Sequence, residues 1–319
     1  MPTKALPTMV TYHYLQRDPD FRMLFTNRIT TMDDLYQAVV SGKSAFIALD
    51  TEHVPVESQS NRILHQVGLT YLPATSTAFL LNAPNTSRKR LSDFYNTQQL
   101  QSLTLNIELS NELQEDLIRF RGHIPNRRLS RFGHEQHIHI DSLESAIIRF
   151  IQSCHNPNPG TEIVLVGFEM AAEWNYLSKN FPKAVPYFSS WVDLRDIGKD
   201  ITSAKELPGR VSMLLTPGYY WKDIKGSNKN GSADNAGDDT VSILAIANAF
   251  FDPGNRDRLR SRVAQQTRKK ANSLDENKTA LLQAMSTSEI KEKQRLRESK
   301  KARGSESDFA SLGETFIGP

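Results

Sequence analysis

Ser44-Ala-Phe-Ile-Ala-Leu-Asp50-Thr51-Glu52 is an uninterrupted apolar run that ends in two carboxylates, two positions apart. A continuous apolar run of this length is typical of a strand that is buried on both faces of a sheet. Further apolar runs follow at 64–72 and 77–82, and Pro73 between them favours a hairpin connection. The sequence therefore predicts three adjacent strands at the start of a sheet.

Helical and extended patterns alternate along the rest of the chain. The helical segments are one that begins after Thr31, 141–154, 170–181 and 238–251, and the extended ones are 103–109, 163–168 and 191–194. The predicted order begins with strands and continues with alternating helices and strands. This order predicts an α/β fold in which helices flank a mixed sheet. We expect this domain to span residues 30–253, after an N-terminal arm over 1–29.

A basic tail is expected over residues 254–319, although the formal net charge of the whole chain is only +3. Residues 254–303 contain 15 Lys and Arg against 6 Asp and Glu, whereas residues 1–253 contain 24 against 27. Basic tails bind nucleic acid or anionic surfaces, or act as nuclear import signals. The alternative is a low-complexity segment, disordered or loosely helical, that is simply solvated.

Several protein classes are excluded by composition. No run of about 18 apolar residues occurs, so a transmembrane helix and a membrane partner are not expected. The N-terminus lacks the apolar core of a secretory signal. Cys154 is the only cysteine, which excludes an intramolecular disulfide framework and an all-cysteine zinc site. We therefore expect a cytoplasmic or nuclear protein.

Acidic residues follow the predicted strands at three places. In chain order they are Asp50 and Glu52, then Glu169 and Glu173, and then Asp234, Asp238 and Asp239. Residues two apart on a strand share a face, and paired carboxylates on a buried strand are costly unless a cation compensates them. Mg²⁺ prefers carboxylate oxygens, so a divalent-cation site is one interpretation. Solvated strand ends and ordinary helix caps are the alternative.

Histidines offer a second candidate metal site. His137 and His139 would share one face of a strand, and His134 lies just before them. No cysteine or clear third ligand accompanies the three histidines, so a polar strand edge is the favoured interpretation.

Taken together, the three acidic clusters resemble the DEDD exonucleases, and most of all the fungal exonuclease-like proteins of the QIP and Gfd type. The resemblance covers residues 44–251. The stretches that carry it are FIALDTEHV (46–54), HQVGLTYL (65–72), LVGFEMAAEWNYL (165–177) and DNAGDDTVSILAI (234–246). It implies a ribonuclease H-like fold and 3'-5' exonuclease activity on RNA or single-stranded DNA, by phosphodiester hydrolysis with two Mg²⁺ or Mn²⁺ ions.

The resemblance also implies site residues, and two of them depart from the family pattern. Asp50, Glu52 and Asp239 fall on family metal ligands, and Glu173 falls on the position of a third ligand that is normally aspartate. Asp234 falls on the general-base histidine, and an aspartate with an ordinary pKa near 3.9 is a poor base at neutral pH. The alternative is therefore a catalytically degenerate module that binds nucleic acid or a protein partner without turnover. A structural domain unrelated to nucleases is the third interpretation.

Two further groups of residues are candidates for contact with nucleic acid. The basic segment 119–131 is expected to form a loop that, with the tail, holds backbone phosphates. Phe168 and Trp174 have the chemistry to stack on bases, but packing in the core is the favoured interpretation for both.

Overall fold

A seven-stranded mixed sheet is the centre of the protein in the computed structural model, which describes residues 15–57, 62–81, 89–125, 128–155, 160–220, 235–269 and 295. The chain divides into one unit over residues 1–263 and another over 264–319. The sheet and the site described below belong to the first unit. The sequence prediction of an α/β fold with a mixed sheet flanked by helices is confirmed.

The strands, in chain order, are β1 (Arg28–Ile29), β2 (Ser44–Pro55), β3 (Arg62–Leu72), β4 (Lys89–Arg90), β5 (Gln101–Ile107), β6 (His134–Ile138), β7 (Glu162–Gly167), β8 (Ser190–Asp193) and β9 (Tyr219–Tyr220). The large sheet has the order β1-β8-β7-β2-β3-β5-β6, and β4 pairs with β9 in a separate small sheet. Strands β2, β3 and β5 form an antiparallel meander, whereas β7 runs parallel to β2 and β8 runs parallel to β7.

Helices cover both faces of this sheet. They are α1 (Pro19–Thr26), α2 (Met32–Val40), α3 (Ala74–Thr77), α4 (Leu91–Thr97), α5 (Asn111–Arg121), α6 (Leu143–His155), α7 (Met170–Asn180), α8 (Leu194–Thr202), α9 (Arg210–Leu215), α10 (Ala236–Phe251) and α11 (253–269). None of the helices in the described part of the chain has the length and apolar character that crossing a bilayer requires.

The central strand β2 is buried on both faces, as its apolar run predicts. Phe46 and Ala48 pack in one hydrophobic cluster with α10, while Ile47 and Leu49 pack in the other with α6 and α7. Alternate residues of a strand point to opposite faces, so each face of β2 contributes to a different half of the core. The apolar residues of β2 therefore fix the strand between two helical layers.

The predicted strand over 77–82 is wrong. Residues 74–77 form α3, and a 3₁₀ turn follows over Ala78–Leu81, so β3 pairs with β2 and β5 instead. The described part of the run, 77–81, is short, and a short apolar run cannot be assigned to a strand or a helix by periodicity alone. The 3₁₀ turn is also stabilised by α10, which is far away in the sequence. The Asn248 side chain of α10 donates a 2.7 Å hydrogen bond to the backbone carbonyl of Leu80.

The predicted irregular arm over 1–29 is wrong for the described residues 15–29. They include α1 and β1, and Phe21 and Phe25 of α1 pack against the buried ring of Trp174. The arm therefore contributes apolar surface to the core, which the sequence pattern around these aromatic residues did not reveal.

The first part of the expected tail packs against the core, and residues 270–319, apart from 295, lie outside the described residues. Residues 253–269 form α11, in which Leu259 and Val263 are buried in the same cluster as α10. These two residues are four apart, so they lie on one face of the helix while the charged residues occupy the others. The high charge of the segment concealed this single apolar stripe.

Candidate metal centre

The first two acids of the site lie where β2 and β7 separate. The parallel pairing of the two strands ends at Ala48 and Val166, two positions before Asp50. Pairing of β2 with β3 continues past Asp50 and Glu52, with an irregularity after Glu52. Asp50 is 9 % exposed, and Glu52 is half-buried. Both carboxylates therefore stand just beyond the point where β7 diverges from the central strand, in the kind of crevice where α/β sheets bind ligands.

Helix α10 brings the third acid to this crevice. Its N-cap residue Asn235 accepts a hydrogen bond from the backbone of Asp238, and the backbone N–H of Ala236 donates to Gln66 on β3 at 2.7 Å. The helix begins in direct contact with β3, because a Cβ at Gly68 would lie 2.1 Å from the carbonyl oxygen of Ala236. This contact, which only glycine permits, holds the first turn of α10 over the sheet.

Asp50, Glu52 and Asp239 converge in the folded chain. Each offers a carboxylate oxygen, and these three oxygens lie within 4.8 Å of one another. Two oxygens bound on opposite sides of one Mg²⁺ are about 4 Å apart, so small side-chain rotations suffice for joint coordination. The donor set consists of carboxylate oxygens from β2 and α10, which suits a hard divalent cation.

Glu173 of α7 lies beside this group and is buried. The hydroxyl of Thr51 donates a 2.5 Å hydrogen bond to its Oε2 atom. Burial is the main cause that raises the pKa of Glu173 well above its ordinary value, and the nearby carboxylate of Asp50 adds to the shift. The hydrogen bond from Thr51 acts in the opposite direction. Glu173 is therefore placed to respond to any change of charge in the crevice.

The start of α7, and with it Glu173, is fixed by Asp193. The two carboxylate oxygens of Asp193 accept hydrogen bonds from the backbone N–H groups of Glu169 at 3.1 Å and Met170 at 3.0 Å. Glu169 itself has a left-handed backbone with φ of 66° and forms an ion pair with Arg195. Of the two glutamates in this part of the sequence, Glu173 therefore reaches the crevice and Glu169 does not.

Arg210, at the first position of α9, lies in the acidic crevice and was not found from the sequence. Its Nη1 atom lies 3.3 Å from Oδ1 of Asp50, and its Nη2 atom lies 2.5 Å from Oδ2 of Asp239. Burial alone would lower the pKa of Arg210, but the two aspartates outweigh burial and raise it above the ordinary value. A lone arginine that opens a short helix has no local pattern that marks it as part of a site.

Asp238, the neighbour of Asp239, faces a different set of groups. Its fully buried carboxylate forms ion pairs with Arg128 and Arg131 and accepts the backbone N–H of Arg131 at 2.7 Å. The hydroxyl of Ser130 donates to it at 3.3 Å. Two of the arginines that we expected to hold phosphates are thus engaged with Asp238. The segment is also not wholly a loop, because residues 119–121 belong to α5.

The other predicted site residues have different positions. Asp234 lies outside the described residues. His134 and His137 are on the edge strand β6, and His139 lies 3.2 Å from Asp141. Within the described ranges, no group of residues that could hold a metal ion includes these histidines. Phe168 and Trp174 are both buried in the hydrophobic core, which confirms the prediction that they pack there.

Among the described residues, the crevice therefore combines a compact set of carboxylates with the guanidinium of Arg210. Neither a protein-family model nor a curated protein sequence matches the chain. The arrangement can bind a divalent cation through carboxylates, or it can hold Arg210 as their counter-charge.

Proposed function

We propose that this chain is a metal-dependent 3'-5' exonuclease-like protein of ribonuclease H-like fold, which acts on RNA or single-stranded DNA. The observation that carries the proposal is the convergence of Asp50, Glu52 and Asp239, with their carboxylate oxygens within 4.8 Å of one another. The resemblance implies these three residues as metal ligands, although Asp239 is far from the other two in the sequence. Their convergence supports the exonuclease interpretation over an unrelated structural domain.

The sheet supports the ribonuclease H-like part of the proposal. An antiparallel meander of β2, β3 and β5 is followed by β7 and β8, which join the other side of β2 in parallel. Asp50 and Glu52 stand on the central strand just beyond the point where its parallel neighbour β7 diverges, which leaves room for a ligand.

The residues of the crevice fit Mg²⁺ or Mn²⁺, because the available donors are carboxylate oxygens. Asp50, Glu52 and Asp239 would hold the cation, and Glu173 adds a fourth acid beside them. When bound, such an ion supplies Lewis-acid activation of the phosphodiester and of the attacking water. The chain itself contributes orientation, because Thr51 fixes the Glu173 carboxylate and the Asn235 cap fixes the start of the helix that carries Asp239.

Basic groups lie on α5, which contacts the last residue of β2, and they can bind the backbone of a nucleic acid. Arg121, near the end of α5, donates a 2.9 Å hydrogen bond to the carbonyl oxygen of Pro55, the last residue of β2. The neighbouring Arg119 has a side chain that is 68 % exposed. Exposed guanidinium groups attract phosphates in a salt-dependent manner.

The buried free thiol of Cys154 suits a reducing compartment, so we propose that the protein acts in the cytoplasm or nucleus.

The proposal is tested by incubating the full chain with 3'-labelled RNA and single-stranded DNA in Mg²⁺, Mn²⁺ or EDTA. We expect metal-dependent release of nucleotides from the 3' end, and no release by the Asp50→Asn, Glu52→Gln double variant. The matched control is Glu162→Gln, an exposed acid at the opposite end of the parallel strands, which should leave the activity unchanged. Cleavage that persists in the double variant would contradict the proposed site.

A second candidate function is a catalytically degenerate module that binds nucleic acid or a protein partner without turnover. It is favoured by the ion pairs of Arg210 with two of the proposed metal ligands, and by Asp234 in the position of the family histidine. The same experiment separates the two candidates. Retention of labelled RNA without cleavage, in either metal, would support the degenerate module.

A further inference from the structure

We infer that Arg210 is a built-in counter-cation of the acidic crevice and that it competes with the divalent ion for Asp50 and Asp239. The metal then binds only when the guanidinium withdraws, so Arg210 sets the metal affinity of the site. This inference rests on the proposed function, because it assumes that the acids are metal ligands.

The position of the guanidinium supports direct competition. Its two terminal nitrogens contact different acids, Asp50 on β2 and Asp239 on α10, so the group lies between them. A cation bound by both acids must occupy the same space between their oxygens. The Arg210 side chain is only 18 % exposed, which means that it is placed inside the crevice and not on its rim.

The charges of the crevice point to the same conclusion. The acids that face Arg210 are Asp50, Glu52, Glu173 and Asp239. Without a metal ion, one guanidinium offsets part of their mutual repulsion. With a metal ion between the same oxygens, the guanidinium would stand a few ångströms from a double positive charge, and in a partly buried site that repulsion is strong. The two cations are therefore alternatives.

Withdrawal requires rotation of the arginine side chain and no movement of its helix. Met213 and Leu214 of α9 are buried, and Arg262 of α11 donates a 2.6 Å hydrogen bond to the hydroxyl of Ser212. The backbone of α9 is thus held on both sides. An arginine side chain has several rotatable bonds, so the guanidinium can swing away from the acids while α9 stays in place.

The test is a calorimetric titration of the metal-free full chain with Mn²⁺ in the wild type, Arg210→Gln and Arg210→Lys. If the guanidinium occupies the crevice in about nine molecules of ten, its removal lowers the apparent Kd for Mn²⁺ about tenfold. The lysine variant keeps the charge but loses the simultaneous contact with Asp50 and Asp239. Its Kd for Mn²⁺ should therefore lie between those of the wild type and Arg210→Gln. The matched control is Arg28→Gln, which breaks a similarly buried pair with Asp196 outside the crevice and should leave the Kd unchanged.

A melting curve of each variant with EDTA and with Mn²⁺ gives a second readout that does not depend on activity. We expect Mn²⁺ to raise the Tm of Arg210→Gln more than that of the wild type, and we expect Asp50→Asn in the same background to abolish the gain. If the wild type binds Mn²⁺ through Asp50 but Arg210→Gln and Arg210→Lys bind no more tightly, the inference is overturned and the metal site stands. If no variant binds Mn²⁺, the proposed function fails and the inference fails with it.

Discussion

Asp238 and Asp239 are neighbours in the first turn of α10, yet they are placed in opposite electrostatic surroundings. Asp238 is a single carboxylate that receives two guanidinium groups, a backbone N–H and a hydroxyl. Asp239 shares one guanidinium, Arg210, with Asp50 and lies close to Glu52. The first region is rich in donors and positive charge, and the second is rich in acids.

This difference separates a structural acid from a candidate functional one. A buried carboxylate that is fully paired has nothing left to offer a ligand, and removing it leaves its partners uncompensated. A group of acids whose carboxylate oxygens lie close together is costly in the metal-free protein, but it can bind an added cation. We therefore expect the Asp238 region to carry stability and the Asp239 region to carry metal binding.

The largest effect is expected from a truncation that removes α11. Helix α11 supports α9, and therefore Arg210, through the contact between Arg262 and Ser212. A chain that ends at residue 253 loses the buried side chains of Leu259 and Val263, which stabilise the fold by about 3–6 kcal/mol. The control is a chain that ends at residue 269. Urea unfolding of the two truncations measures the difference, and equal stabilities would show that α11 is not part of the folded unit.

The second-largest effect is expected from substitution of Asp238, compared with the same substitution of Asp239. Asp238→Asn preserves shape but removes the negative charge that Arg128 and Arg131 both contact, so we expect a loss of about 3–5 kcal/mol in the free energy of unfolding. Asp239→Asn removes one contact of Arg210 and also reduces repulsion among the acids, so we expect a change of about 1 kcal/mol or less. Both are measured by urea unfolding in EDTA.

The metal response should follow the opposite order. Mn²⁺ should still raise the Tm of folded Asp238→Asn and should no longer raise that of Asp239→Asn. If Asp239→Asn proves as destabilising as Asp238→Asn in EDTA, the distinction between the two regions is wrong.

Local patterns in the sequence were sufficient for most of the elements around the site. The apolar run of β2 and the strand-helix pair around Glu173 predict buried strands with acids near their ends. The structure has both strands, although β2 continues past Asp50 and Glu52 to Pro55. The cap before Asp239 is likewise local, since it depends on Asn235 only three residues before Asp238. Such features need no knowledge of the rest of the chain.

Arg210 and the partners of Asp238 could not be predicted in this way. Arg210 is 160 residues from Asp50, and Arg128 is 110 residues from Asp238, so each pair depends on the completed fold. An arginine has the same local pattern whether it is solvated or paired in a crevice. The apolar surfaces of α1 and α11 were missed for a related reason, because their burial depends on distant partners such as Trp174 and α10.

The smallest effect is a change in the pH dependence of stability of the metal-free protein, caused by Glu173. Its pKa in the folded state is raised, first by burial and then by Asp50, so the folded protein holds a proton that the unfolded chain releases. The contribution of Glu173 to the free energy of unfolding should therefore be fully present below the ordinary pKa of glutamate. It should fall as the pH rises through the raised pKa, by up to about 1.4 kcal/mol per pH unit.

Glu173→Gln removes this titration, so in EDTA the variant should gain stability over the wild type as the pH increases. Glu173→Asp is the matched control, because it keeps a buried carboxyl and should keep the slope. Parallel pH profiles of Tm for the wild type and Glu173→Gln would mean that other groups neutralise Glu173, and the crevice would then be less acid-rich than its residues indicate.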